Sequence, residues 1–218
     1  MLEWISGSIS EMLFKASVFL TCLAPLASIF LQVWWQAAGM PNDLGADPAK
    51  YITHFFGETA LLMMVLTLWV TPLRGLTGWA VVVRVRRMLG LYAFFYALLH
   101  MVSYAALLLE WHIGEIGKEL VERPYITVGF MALCLMVPLA ATSNRWATRR
   151  LGRNWKRLHR MVFPVAALQL LHFFWLTRSD YTEPLLYSAA LLIAMAYRWY
   201  KWRSGLQRKL SFDHAAAG

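Results

Sequence analysis

Apolar residues recur along the chain in six runs of about twenty, near 16–35, 51–71, 88–109, 125–142, 160–177 and 184–200, separated by short polar stretches. Runs of this length are read as membrane-crossing helices. The pattern therefore predicts an all-α, polytopic bundle of six transmembrane helices, with residues 1–218 forming a single integral-membrane domain. The first run is not read as a cleavable signal, because it is too long and Trp34, Trp35 and Gln36 stand where small residues would mark a cleavage site.

Composition agrees with the pattern. Hydrophobic residues make up 59% of the 218 and charged residues only 15%, too apolar a balance for a soluble domain of this length. The formal charge of +9 would suit a nucleic-acid binder, but the cations alternate with the loops instead of forming one patch. Arg74, Arg84, Arg86 and Arg87 occupy one loop; Arg145, Arg149, Arg150, Arg153, Lys156, Arg157 and Arg160 a second; Lys201, Arg203, Arg208 and Lys209 the tail. The intervening loops hold Asp43, Asp47, Glu110, Glu115, Glu119, Glu122, Asp180 and Glu183. The excess of cations assigns the basic loops and both termini to the cytoplasm, hence a multi-pass membrane protein and no nucleic-acid partner. Cys22 and Cys134 form no CxxC pair and are read as core residues.

Ionisable side chains at membrane depth are expensive, so the histidines draw attention first. His100 lies fourteen residues past Arg86 and His172 twelve past Arg160, which places them about 20 Å and 18 Å from the same boundary. Two imidazoles at one level on separate helices are what a six-coordinate haem b needs; the competing reading is a pair of histidines that merely hydrogen-bond neighbouring helices. Gly90, Ala93, Ala97 and Ser103 give the His100 helix a small-residue face, open to a flat ring or to another helix. His159 is about 19.5 Å nearer the cytoplasm than His172 and about 140° away on an ideal helix, although Pro164 between them can re-phase it; His159 is a candidate ligand of a second haem. His54 and Glu58 stand one turn apart: a proton or quinone site, a haem contact near the periplasmic edge, or a mutually satisfied interfacial pair. His112 and His214 are read as solvated, and spans one, four and six as scaffold.

Several blocks in one order then resemble a known family. LGADP at 44–48, HFFGETAL at 54–61, TPLR at 71–74, RRMLGLYAFFYALLHMVSY at 86–104, GKELVERPYITVG at 117–129, LGRNWKRLH at 151–159 and LLHFFW at 170–175 are similar to the MsrQ (YedZ) family, the haem-bearing membrane subunit of the periplasmic methionine-sulfoxide reductase system. The resemblance implies a ferric-reductase-like core, with His100, His159 and His172 matching the family's histidines. Arg86 and Arg87 stand where a further histidine would complete a second haem site. It also implies FMN as a cofactor. The implied function is electron transfer from the quinol pool, or from a cytoplasmic-side flavin, across the inner membrane to a periplasmic molybdopterin reductase that repairs oxidised methionine in proteins. Such a chain is an electron-transfer subunit and not the catalytic one. No GxGxxG fingerprint is present, so another molecule, quinol or a cytoplasmic flavin reductase, must deliver the electrons. The alternatives are a stand-alone transmembrane ferric or metalloreductase and, from a different class, a proton-coupled transporter or assembly scaffold.

Overall fold

The computed structural model describes residues 2–79 and 81–216, with side chains for 11–79 and 81–204. Each of the six apolar runs falls on a helix, and the loops hold three more. The order is α1 (Leu2–Ala37), α2 (Pro48–Thr77), α3 (Val82–Ser103), α4 (Ile113–Glu122), α5 (Pro124–Ala141), α6 (Arg145–Leu151), α7 (Arg153–His159), α8 (Val162–Leu176) and α9 (Thr182–Ala216). A π-helical turn, Tyr104–Leu108, extends α3.

Local chemistry sets the ends. Asp47 caps α2 by accepting from the Lys50 N–H at 3.0 Å, and Pro48 supplies a pre-formed first turn. Gly78, with φ of +73°, closes the other end through its N–H to the Arg74 carbonyl. Pro124 opens α5 in the same way as Pro48 opens α2. The stretch 143–160, expected as a loop, is largely helical: Asn144 caps α6, and Gly152 at φ +50° turns the chain into α7. Pro164 is the third residue of α8, where its missing N–H cannot reach back to the Arg160 carbonyl, which accepts instead from the Phe163 N–H at 3.1 Å, and the helix is interrupted at Arg160–Met161. His159 and His172 consequently lie on two helices, and the ideal-helix angle between them does not apply.

At the centre, α2, α3, α5 and α8 close a ring: α2 packs on α3 and α8, and α5 packs on α8 and α3. Leu68 and Met64 of α2, Tyr96 of α3 and Val165 of α8 are the innermost side chains. α1 leans on the outside of α3, held where the Tyr96 hydroxyl donates to the Cys22 carbonyl at 2.6 Å and Arg84 pairs with Glu11. α9 lies along α2, fixed by Trp69 Nε1 to the Ala190 carbonyl at 2.9 Å and by Arg198 to the Leu68 carbonyl at 2.7 Å. Apolar side chains cover much of the outer surface, Leu20, Phe30, Leu66 and Leu192 among them, as suits contact with lipid. Cys22 is buried as expected, whereas Cys134 points outward.

Among the described residues, four helical stretches have the length and apolarity to cross a membrane: Glu11–Ala37, Pro48–Thr77, Val82–Leu108 and Pro124–Ala141. The other two expected spans fall short by that measure. α8 has 15 residues, a rise of about 22 Å against a hydrocarbon core of about 30 Å. The apolar stretch of α9 is cut by Arg198 and Lys201.

Candidate metal centre

Two hairpins, α2–α3 and α5–α8, build the site, and each contributes one histidine. Nδ1 of His100 is 2.8 Å from the carbonyl oxygen of Thr53 on α2; Nδ1 of His172 is 2.6 Å from that of Tyr125 on α5. A carbonyl only accepts, so each Nδ1 carries the proton and donates it, leaving the Nε2 lone pair available. Glycine makes this approach feasible. A Cβ built at Gly57 would lie 2.9 Å from His100 Nδ1, and one at Gly129 would lie 2.9 Å from His172 Nδ1, closer than side-chain carbons are found. The two rings face each other with centroids 6.1 Å apart and planes at 73°.

The hairpins are copies of one design displaced by 72 residues. Thr53, Gly57 and His100 correspond to Tyr125, Gly129 and His172, and GETALLMMV at 57–65 corresponds to GFMALCLMV at 129–137. LLH recurs at 98–100 and 170–172. Burial follows the same register, with Ala60 and Ala132 at 3% and 2% exposure and Met64 and Met136 at 2% and 3%. Both copies run in the same direction, as in a parallel membrane repeat.

Between the hairpins lies a cavity of about 350 Å³ lined by both histidines, both glycines and apolar side chains such as Leu61, Leu133 and Phe173. Ala97 is in its wall, whereas Gly90 packs against Thr67 of α2 and Ala93 is fully buried in the core. Only part of the small-residue face therefore serves the cavity. At the end nearest the acidic loops α4 covers it with Ile116 and Leu120. There the Tyr104 hydroxyl donates to Glu119 at 2.8 Å, Glu119 pairs with Arg123 at 3.0 Å, and Arg123 donates to the Tyr125 hydroxyl at 3.1 Å. That last bond, above all, holds the Arg123 guanidinium more firmly charged than usual. One buried group in the wall is orphaned: Gln169 Oε1 has no partner, while its Nε2 finds only Met136 Sδ at 3.5 Å.

Of the remaining candidates, His159 alone sits elsewhere. His54 and Glu58 line the same cavity but form no ion pair with each other, so they are not the mutually satisfied pair that was one reading of the sequence. His159, at the end of α7, is outside the cavity. It stacks on Trp155 at 3.9 Å, with Nδ1 3.2 Å from the Trp155 carbonyl and Nε2 3.4 Å from Ser143 Oγ. Burial, with a smaller contribution from Arg86, pushes its imidazole below the ordinary value.

The facing pair suits a haem. An imidazole nitrogen stands about 2 Å from a metal it ligates, with the ring centre roughly 1 Å behind, so two imidazoles on opposite sides of one ion have centres roughly 6 Å apart. The observed 6.1 Å matches. Among the described residues no group of three or more His, Cys, Asp or Glu is placed to hold a bare ion, whereas a porphyrin brings its own four nitrogens and asks the protein for two axial ligands.

Comparison with known proteins gives the class and then the family. Residues 56–170 match the family described as the ferric reductase like transmembrane component, which defines an integral-membrane domain of that type. The protein-methionine-sulfoxide reductase haem-binding subunit MsrQ of Xanthomonas campestris pv. campestris (strain 8004) is 46% identical over 96% of this chain and 95% of its own length. The proteins of the same description from Xanthomonas axonopodis pv. citri (strain 306) and Rhodospirillum rubrum are 48% and 43% identical, covering 88% and 84% of this chain and 88% and 86% of their own. The chain belongs to the MsrQ family.

Gly57, Gly129 and the carbonyls of Thr53 and Tyr125 escaped the sequence reading, which treated α5 as a wall. The 72-residue repeat was the available signal, since a glycine 43 residues before the histidine of an LLH occurs twice.

Proposed function

We propose that this protein is a haem b electron-transfer subunit of the inner membrane, passing electrons from the quinol pool or a cytoplasmic-side reduced flavin to a periplasmic molybdopterin methionine-sulfoxide reductase. One observation supports this above all: two imidazoles from separate hairpins face each other at 6.1 Å across an apolar cavity, each with Nε2 turned free by a carbonyl on Nδ1. Haem, when bound, supplies one-electron redox chemistry. His100 and His172 would hold its iron through their free Nε2 atoms. Thr53 and Tyr125 fix the tautomer and raise the basicity of the ligating nitrogen, as outer partners of metal-bound histidines do. The apolar wall excludes water and lowers the local dielectric, which tunes the potential.

His159, at the end of the basic helix α7, serves electron input, either on a second haem or against a propionate or the phosphate of FMN. The chain crosses the membrane six times with both termini cytoplasmic; the turn at Arg160–Met161 and α8 make the fifth crossing, and the cations of α9 meet the cytoplasmic surface.

The test is coupled turnover. In vesicles carrying this protein and the periplasmic reductase, quinol-driven reduction of methionine sulfoxide is expected to stop in His100→Ala and in His172→Ala. Turnover at the wild-type rate in either variant would overturn the proposal.

A further inference from the structure

One polar group in the wall of the cavity between the hairpins is left unmatched by the protein itself, the amide of Gln169. Gln169 is the eighth of the fifteen residues of α8 and stands one turn nearer α7 than His172, midway along the helix. Its Oε1 is buried without a donor, and Nε2, which carries two hydrogens, has only the weak acceptor Met136 Sδ at 3.5 Å. Leaving a buried amide in this state costs about 1–3 kcal/mol. Along the repeat Gln169 corresponds to Ala97, so the opposite wall meets the cavity with a methyl group where this one brings an amide.

The protein supplies no donor on this side of the histidines. The hydroxyl and imidazole groups of Thr53, His54, Tyr104 and Tyr125 belong to the end that α4 covers, whereas toward α7 the wall is built from side chains such as Leu61, Ala97, Leu133 and Met136. A water molecule beside Gln169 would find one strong partner where it needs two to four. The missing donor therefore belongs to the group that the histidines hold. The edge of a haem b carries methyl and vinyl groups, which are apolar, and two propionic side chains, which can hydrogen-bond. An ionised carboxylate only accepts, and it would leave Oε1 orphaned. A protonated acid is the complement of a primary amide: its O–H donates to Oε1 and its carbonyl accepts the second hydrogen of Nε2, the first staying on Met136 Sδ. No lysine or arginine among the described residues lines the cavity to hold a carboxylate charged, and desolvation at this depth favours the neutral acid.

We infer that Gln169 is a haem-binding residue, paired through two hydrogen bonds with one propionic side chain that it keeps protonated. The inference rests on the function proposed above, and it sets which way round the haem stands: the edge bearing that acid is the one nearer α7. The amide gains the donor it lacks, and the haem brings one negative charge fewer into the apolar cavity.

The test is infrared spectroscopy of the purified protein reconstituted with haem, either unlabelled or isotope-labelled at its propionic carboxyl carbons, so that the difference spectrum shows those groups alone. In mildly alkaline buffer, where a solvated carboxyl is ionised, the wild type is expected to show the carbonyl band of a hydrogen-bonded, protonated acid. Gln169→Leu and Gln169→Met remove the amide and leave both histidines in place; they should keep low-spin haem and lose or shift that band. Haem with both propionic groups methyl-esterified has no O–H to donate, and it should be retained about tenfold less well than haem by the wild type but equally well by Gln169→Leu. Carboxylate bands alone in the wild type, or an acid band at one position in the wild type and both variants, would overturn the inference. Should both variants lose their haem, the wild-type spectrum and the ester decide between the same two results. A wild type that takes up no haem would overturn the function proposed above together with this inference, whereas bound haem with carboxylate bands alone overturns this inference and leaves that function standing.

Discussion

At the scale of single residues, two hydrogen atoms decide how the histidines sit. The α-hydrogens of Gly57 and Gly129 face the imidazoles, and a methyl in either place would fall 2.9 Å from a ring nitrogen. Forcing a carbon into such a contact costs about 1–3 kcal/mol in a packed interior. Gly57→Ala and Gly129→Ala are therefore expected to push the ring off its carbonyl and to give sub-stoichiometric haem with a high-spin component in the absorption spectrum. Gly90→Ala is the contrast, because its nearest neighbour would be Thr67 Cγ2 at an ordinary 3.6 Å; that variant should keep a wild-type spectrum. Equal damage in all three would show that the glycines matter only for helix packing. The histidines were legible in the sequence because a charge-capable side chain at matching depth on two helices is costly. The glycines were not, because a glycine in a membrane helix reads equally well as a packing residue.

At the scale of elements, short polar segments carried more structure than their composition suggested. Six helices follow from apolar run length, and their starts at Pro48 and Pro124 follow from proline's fixed φ. α4 was hidden inside an acidic loop, and its role as a cover for the cavity depends on Glu119, which joins Tyr104 of the π turn to Arg123 at the start of α5. Removing it leaves Tyr104 and Arg123 without their shared acceptor, at about 1–3 kcal/mol for a charged hydrogen bond. Glu119→Ala should thus increase hydrogen exchange in the amides of Ile113–Glu122 while haem content holds, and unchanged exchange would mean α4 is held by Ile116 and Leu120 alone. Proline also explains the break between α7 and α8, which was foreseeable at Pro164; its position one helical turn earlier, at Arg160–Met161, was not.

At the scale of the whole molecule, the basic and acidic ends define how the protein faces its partners. Arginines of α6 and α7 cluster at one end and the acidic residues of α4 at the other, so reporter fusions at Gly152 and Gly114 are expected to report opposite sides of the membrane, cytoplasmic and periplasmic. Both reporters on one side would remove the six-crossing topology and the matched depth of the histidines with it. The central claim is that one haem stands between His100 and His172, and it is met most directly by the haem-to-protein ratio and reduced-minus-oxidised spectrum of His100→Ala, His172→Ala and His159→Ala. Ligation by the facing pair predicts that the first two lose the low-spin spectrum while the protein still inserts, and that the third keeps it. Full haem occupancy with a wild-type spectrum in either His100→Ala or His172→Ala would contradict the claim and leave His54 as the next ligand to test.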